Sequence, residues 1–407
     1  MIQRAIRVGG TALVMSAALA GAATAGGFNR GSANLDGLFS DKIGAYAGVT
    51  YVAPGRSYSS VSGLTVIGGA PRPLAQGPVE FGDSYSVPYA SAGGQIFDSM
   101  SCVASYARPY GADSTYSGAI TYHIAQQSLS SNELGLTCAY RMDAGKGRFS
   151  FIGGVFNESI EYKQARNFST AFGVVGDSRI RVTSDAWGFR IGGAFEIPEI
   201  AFKAQLMYRS QTDHNATGNY FNTPFRTLAF AQGAPGALLA AYGTNMNATA
   251  RTSASLPQNV ELSLQSGIAP GWLAFGSVKW TDWSVLESIS LVEGIANQPF
   301  STSRFFFKDG WTVTAGIGHK FNDMISGSAS ITWDRGVSTG WDTLTDTWSF
   351  AGGAAIDVNE NFQLRAGGAL IYLSSGTKSK TSGPVDYTAV SPSEWGYAAS
   401  VGGVLRF

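Results

Sequence analysis

Charge is scarce in this chain. Lys, Arg, Asp and Glu make up 14% of its 407 residues, where ordinary globular proteins carry about 25%. The 28 basic and 28 acidic residues cancel, so no net field draws in a nucleic acid, and none is expected as a partner. Long apolar runs are missing as well. Beyond the N-terminus nothing approaches the ~18 residues of a helical span, which excludes helical membrane crossings. Cysteine is limited to Cys102 and Cys138, and histidine to His123, His214 and His319. No Cys/His cluster has zinc spacing, so neither a metal nor a cofactor is expected.

What the chain does have is glycine, aromatics and alternation. Gly accounts for 52 residues and aromatics for 12%. From Trp395 onward, Trp395, Tyr397, Ala399, Val401, Gly403, Leu405 and Phe407 fall on one face of an extended strand. Small or polar residues fall on the other, because strand side chains alternate with a period of two. An apolar face bounded by aromatics is what a transmembrane β-strand shows to lipid. Ile325 to Asp334 repeats the pattern, with Ser326, Ser328, Ser330, Thr332 and Asp334 on its polar face. Charges within such segments fall on the polar face nearly every time, as expected where a lipid-side charge costs about 2–4 kcal/mol at the midplane.

The fold class read from this is all-β: a transmembrane antiparallel β-barrel of about 14 strands, an even number as single-chain bacterial barrels require. The strands lie near 44–53, 86–93, 101–109, 129–141, 148–158, 185–196, 201–210, 257–268, 272–283, 310–320, 324–334, 346–357, 361–373 and 394–407. Short turns such as Phe321-Asn322-Asp323 alternate with long connections at 54–85, 110–128, 159–184, 211–256, 284–309, 335–345 and 374–393. Short periplasmic turns and long extracellular loops are the usual asymmetry, which places the protein in a bacterial outer membrane, among lipid and lipopolysaccharide.

Three regions follow. Residues 1–25 read as a signal peptide: Arg4 and Arg7, an apolar core from Thr11 to Leu19, then Ala23-Thr24-Ala25. Residues 26–43 are strand-poor and form a candidate plug, or hatch, in the lumen, with a loose tail as the alternative. Residues 44–407 form the barrel. The loop 211–256 is unusually apolar, with Phe221, Phe225, Leu228, Phe230, Leu238 and Leu239; exposed apolar surface of that extent marks a binding site.

The stretch from Leu256-Pro257-Gln258 to Thr281-Asp282-Trp283-Ser284 resembles a characteristic strand pair of the FadL-type long-chain fatty acid transporters of Gram-negative outer membranes. Phe307-Lys308-Asp309-Gly310-Trp311, through Trp333-Asp334, resembles the next block. Asn34-Leu35-Asp36-Gly37-Leu38-Phe39 and Tyr51-Val52-Ala53-Pro54 resemble the start of a divergent branch of that family. The resemblance implies a monomeric fourteen-stranded barrel with a lumenal hatch, which takes hydrophobic ligand from an extracellular groove and releases it sideways through the wall. The Asn-Pro-Ala triplet that many members carry in the hatch is absent here.

On that reading the protein is a passive channel rather than an enzyme, and its ligand is a long-chain fatty acid or similar hydrophobic small molecule. The groove would be formed by the six apolar loop residues, with Phe28, Leu35 and Phe39 of the hatch deeper. A carboxylate head needs a cation in the lumen, since an unpaired buried charge is costly. Lys163, Arg190, Lys203, Lys279 and Arg365 are the candidates, each set against the plainer reading of a solvated or paired lumen charge. Cys102 and Cys138 fall near the periplasmic ends of adjacent strands and are expected to pair if their α-carbons come within about 7 Å. Two rivals remain: a general diffusion porin, which expects a charge-lined constriction, and an outer-membrane lipid-modifying enzyme, suggested by Gly82-Asp83-Ser84 and Gly176-Asp177-Ser178 but lacking a G-x-S-x-G elbow.

Overall fold

The computed structural model describes residues 27–68, 70–169, 175–222, 247–293, 299–380 and 386–407. The expected signal peptide at 1–25 lies outside these residues, as do Phe225, Leu228, Phe230, Leu238 and Leu239.

Alternation closes the chain into a barrel of fourteen antiparallel strands. They are β1 (Gly44–Ala53), β2 (Tyr85–Phe97), β3 (Met100–Ala107, continuing as Gly111–Thr115), β4 (Gln126–Ala144), β5 (Gly147–Ser169) and β6 (Val175–Ile197). Then come β7 (Phe202–Arg209 and Thr212–Asn222), β8 (Asn247–Leu256 and Asn259–Ala269), β9 (Trp272–Thr281 and Ser288–Glu293) and β10 (Pro299–Arg304 and Gly310–Lys320). The uninterrupted β11 (Ile325–Asp334), β12 (Thr347–Asp357), β13 (Phe362–Leu373) and β14 (Glu394–Arg406) complete the wall. β14 pairs with β1 from Gly44↔Arg406 to Ala53↔Tyr397, so no edge is left open, the condition for a sheet in lipid. Trp395, Tyr397, Val401 and Leu405 stand exposed on β14, and Phe407 just beyond it, while Ala398 and Val404 are buried, the face assignment that the alternation requires.

Strands β5 and β6 are longer than the alternation suggested. They pair continuously from Arg148↔Glu196 to Ser169↔Val175, turning most of the expected loop 159–184 into a hairpin above the apolar band. Outward positions there no longer face lipid, so Glu161, Lys163 and Arg181 can occupy them and the apolar signal fades.

Five strands are interrupted at a similar level. The break in β3 falls at Arg108-Pro109-Tyr110, where Pro109 has no N–H for the ladder. Ala107 pairs with Glu133 but Gly111 pairs with Ser130, so β3 carries one extra residue against β4, which is a bulge. On its other side β3 pairs with β2 only from Ala90↔Tyr106 to Phe97↔Met100. Beyond Ala90 the two strands part, and one isolated bridge, Gly82↔Ser114, rejoins them. The wall therefore has a break between Tyr85–Tyr89 and the upper half of β3.

The first and last long loops meet over the mouth. Ser60–Ile67, Ala70–Gln76, Gly376–Lys378 and Tyr387–Ser391 form a separate four-stranded sheet. Tyr58, Val61, Leu74, Ile120 and Tyr387 pack together beneath it. This cap is distinct from the 211–256 loop, and its apolar residues are too dispersed in sequence to announce it.

Candidate functional site

The N-terminal segment Gly27–Ile43 lies within the barrel and divides its interior. At its lower end Leu38 is fully buried against Val103, Ala139, Ile152 and Ala194, with Leu35 and Phe39 beside them. Arg141 ties this end to the wall, donating to the carbonyls of Leu38 and Ser40 and to Ser101 Oγ, at 2.6, 3.2 and 2.8 Å, and pairing with Asp41 at 3.0 Å. At its upper end Phe28 meets Trp283, Phe305 and Phe307 edge-on, with ring centroids 5.7, 5.7 and 5.6 Å away. Gly27 permits this approach: its φ is +63°, and a Cβ there would lie 2.2 Å from the Trp283 ring.

Between these ends the segment fills the wall break from the inside. Arg30 N–H donates to Pro109 O and Gly111 N–H donates to Phe28 O, each at 2.8 Å. Both are backbone groups that the broken ladder leaves without a β2 partner, and pairing them removes the cost of burying them bare. Arg30 itself is buried; its Nη2 lies 2.6 Å from Asp113 Oδ2 and its guanidinium 3.7 Å from the centre of the Tyr85 ring.

Two cavities result. The upper one, about 600 Å³, lies between the cap and Gly27–Arg30, within the usual range for small-molecule sites. Tyr58, Phe81, Tyr116, Trp341, Leu373 and Tyr387 line it, and so do Arg30, Arg56, Arg166, Arg304, Lys378 and Lys380 against Asp83, Asp113 and Asp342. The lower one, about 360 Å³, lies beneath the segment and touches Leu35, Phe39, Arg190, Lys203, Gln205 and Lys279. Asn29 and Arg30 border both.

The cap carries its own electrostatics. Burial holds the His123 imidazole below its ordinary range; its Nε2 is 3.0 Å from Leu64 O and its ring 4.5 Å from that of Tyr387. Burial likewise raises the Asp342 carboxyl above the usual carboxylate range, although Leu344 N–H donates to it at 2.7 Å.

A buried charge cluster joins the inner faces of β4 to β7 near the wall break. Glu133 accepts from Arg190 and, at 3.0 Å, from Arg209 Nε. Glu158 accepts from Arg209 Nη2 at 2.9 Å and from Thr212 Oγ1 at 2.7 Å. Phe156 lies under both guanidinium groups. Arg209 also donates to Tyr110 Oη, which donates to Pro257 O at 3.0 Å, linking the breaks in β3, β7 and β8. Charges this buried hold because each is paired; removing one member would strand its partner, a loss of about 3–5 kcal/mol.

These placements sort the residues named from sequence. Phe28, Leu35 and Phe39 face the interior. Phe221 is partly exposed on β7 and lines neither cavity. Arg190 is committed to Glu133, Lys203 lies 4.3 Å above the Phe39 ring, and Arg365 sits 3.8 Å from Asp36 of the N-terminal segment. Lys279 faces the lower cavity opposite Glu261. Lys163 requires correction: Phe156, Glu158, Ile160 and Tyr162 are the buried row of β5, so Lys163 points outward and pairs with Glu161. Cys102 and Cys138 are cross-strand partners with Cα atoms 4.0 Å apart and are joined as a disulfide. Asp83 accepts from Thr115 and Asp177 pairs with Arg179, so each Gly-Asp-Ser aspartate is engaged locally. Sequence reading missed Trp283, Phe305 and Phe307; Trp283 and Phe307 belong to the two strand blocks quoted above, and Phe305 carried no signal.

The sequence profile of the outer membrane transport proteins OMPP1/FadL/TodX matches residues 4–383. The chain belongs to this family. It is an outer-membrane β-barrel with the fold of the family's transporters of hydrophobic compounds. No curated protein sequence matches it. Among solved structures it is similar to a Pseudomonas aeruginosa FadL homologue, at 15% identity and a TM-score of 0.74, covering 90% of this chain and 91% of that one. It is also similar to the Pseudomonas putida toluene transporter TodX, at 13% identity and a TM-score of 0.57, covering 96% and 98%. The monoaromatic hydrocarbon channel CymD shows 11% identity and a TM-score of 0.56, covering 94% and 98%. Identities this low carry the fold and leave the ligand open.

Proposed function

We propose that this protein is a passive, monomeric channel for long-chain fatty acids or similar amphiphiles, with residues 26–43 as its hatch. Ligand enters beneath the extracellular cap, occupies the upper cavity, and leaves through the wall break between β2 and β3 once the hatch moves. One observation carries this reading: an aromatic, net-cationic cavity whose floor is the same segment that fills the break. Each methylene buried there contributes about 0.8 kcal/mol, so several suffice for useful affinity. The cationic lining supports an anionic head over a bare hydrocarbon, because it offers a carboxylate the partner that burial demands. Against the porin reading stands the segment Gly27–Ile43, packed inside the barrel around Leu38 below and Phe28 above. No step of this transport calls for an enzyme activity.

The test is ligand identification by mass spectrometry on protein purified in mild detergent, followed by competition binding. Fatty acid displaced by added palmitate is the expected result. Recovery of monoaromatic compounds alone, with no competition by palmitate, would overturn the fatty acid assignment. Stable open-channel conductance to small ions with neither class bound would favour the porin.

A further inference from the structure

The upper cavity meets the wall break at one side chain. Arg30 is carried by the hatch, its charge partner Asp113 is on the upper half of β3, and its stacking partner Tyr85 begins β2. These three residues therefore join the plug to both edges of the break. A Cβ at Gly111 would lie 2.6 Å from Arg30 Nε, so a side chain there would have to displace the guanidinium from its place.

The two ionic partners differ in what they can lose. The Asp113 side chain is 26% exposed and also accepts from Ser128 Oγ at 2.6 Å, so water can replace Arg30. The Arg30 side chain is 8% exposed, so it must keep an anion. Three of the other cations of the cavity hold the cap together. Arg56 donates to Thr343 O, Ser374 O and Thr345 Oγ1, while Lys378 and Lys380 stand over Tyr387 and Trp341.

We propose that Arg30 is an anion-exchange latch and the residue that selects for a charged head. The carboxylate of an amphiphile in the upper cavity takes Arg30 from Asp113, and Gly27–Gly31 then separates from β3. One carboxylate replaces another, so no buried guanidinium is left bare at any stage. A neutral chain of equal length fills the cavity but leaves the latch shut. This rests on the uptake reading above and adds its regulation.

The experiment uses the full-length protein in detergent, palmitate and hexadecanol as chain-matched probes, and hydrogen exchange of the Arg30 and Gly111 amides. Palmitate should speed exchange at both amides in the wild type by about tenfold or more, the lower end of what close buried charge pairs contribute; hexadecanol should not. Asp113→Asn should show fast exchange without ligand. Arg30→Lys should keep the preference for the acid, and Arg30→Gln should lose it while retaining hexadecanol binding, which also reports that the variant is folded. Equal effects of the two probes on the wild type, or an unchanged acid preference in Arg30→Gln, would overturn the latch. Failure of both probes to bind the wild type would remove the uptake reading and the latch with it.

Discussion

Replacing Phe28 with Ala tests whether the segment Gly27–Ile43 is held by an aromatic anchor. Phe28 makes three edge-on ring contacts, with Trp283, Phe305 and Phe307. Truncating a fully buried Phe to Ala loses about 3–5 kcal/mol, and aromatic pairs contribute about 0.5–1.5 kcal/mol each beyond area burial. Phe28 is half-buried, so the lower end of the range, about 3 kcal/mol, is its upper bound. The barrel wall is unaffected, because its ladders run through β1 to β14 and do not pass through residue 28. The loss therefore falls on docking of the segment alone. A loss of about 3 kcal/mol raises the undocked fraction by roughly 150-fold, so a segment undocked once in ten thousand molecules becomes undocked in about one in seventy. The assay is amide hydrogen exchange in detergent. The Arg30 and Gly111 amides, which bond to Pro109 O and Phe28 O, should exchange faster by up to that factor. Amides in the β12–β13 ladder serve as the internal standard. Unchanged exchange at Arg30 and Gly111 would show that the lower anchor around Leu38 and Arg141 holds the whole segment, and the reasoning from the aromatic contacts would fail.

Two other perturbations probe separate parts of the molecule. Titration of the unreduced, denatured protein should find no free thiol, and the Cys102→Ser/Cys138→Ser variant should lose up to about 4 kcal/mol in the entropic picture of cross-linking; two reactive thiols in the wild type would refute the bridge. His123 makes the cap pH-sensitive: its imidazole is held below its ordinary value by burial, so the packed cap binds fewer protons than the open one. Cap stability is then fully present above about pH 6.5 and declines as the pH falls through that value. Proteolysis of the cap should accelerate between pH 7.5 and 5.5 in the wild type and lose this dependence in His123→Gln; an identical pH profile in that variant would exclude the histidine.

The barrel was legible in the sequence because its rule is local. A strand that divides lipid from lumen must alternate, so Ile325 to Asp334 and Trp395 to Phe407 declare their faces within ten or so residues. Strand number, the short turns, and the pairing of Cys102 with Cys138 across neighbouring strands follow from the same period. The signal weakens where lipid ends, so the upper parts of β3 and of β5 to β10 read as loops, and Lys163 reads as lumenal although it points outward.

The interior obeys no such period. Arg30 meets Asp113 across 83 residues, and Arg56 meets Thr343 across 287; Phe28 finds its cage on strands more than two hundred residues further along. Whether a lumenal cation is spent, as Arg190 is on Glu133, or poised, as Arg30 is on a replaceable Asp113, depends on which strands the closed barrel sets opposite one another. Local alternation determined that there is a lumen. Closure of the β1–β14 seam, together with the path of Gly27–Ile43 inside it, decided which side chains share that lumen, because side chains distant in the chain become neighbours only once the ring is complete.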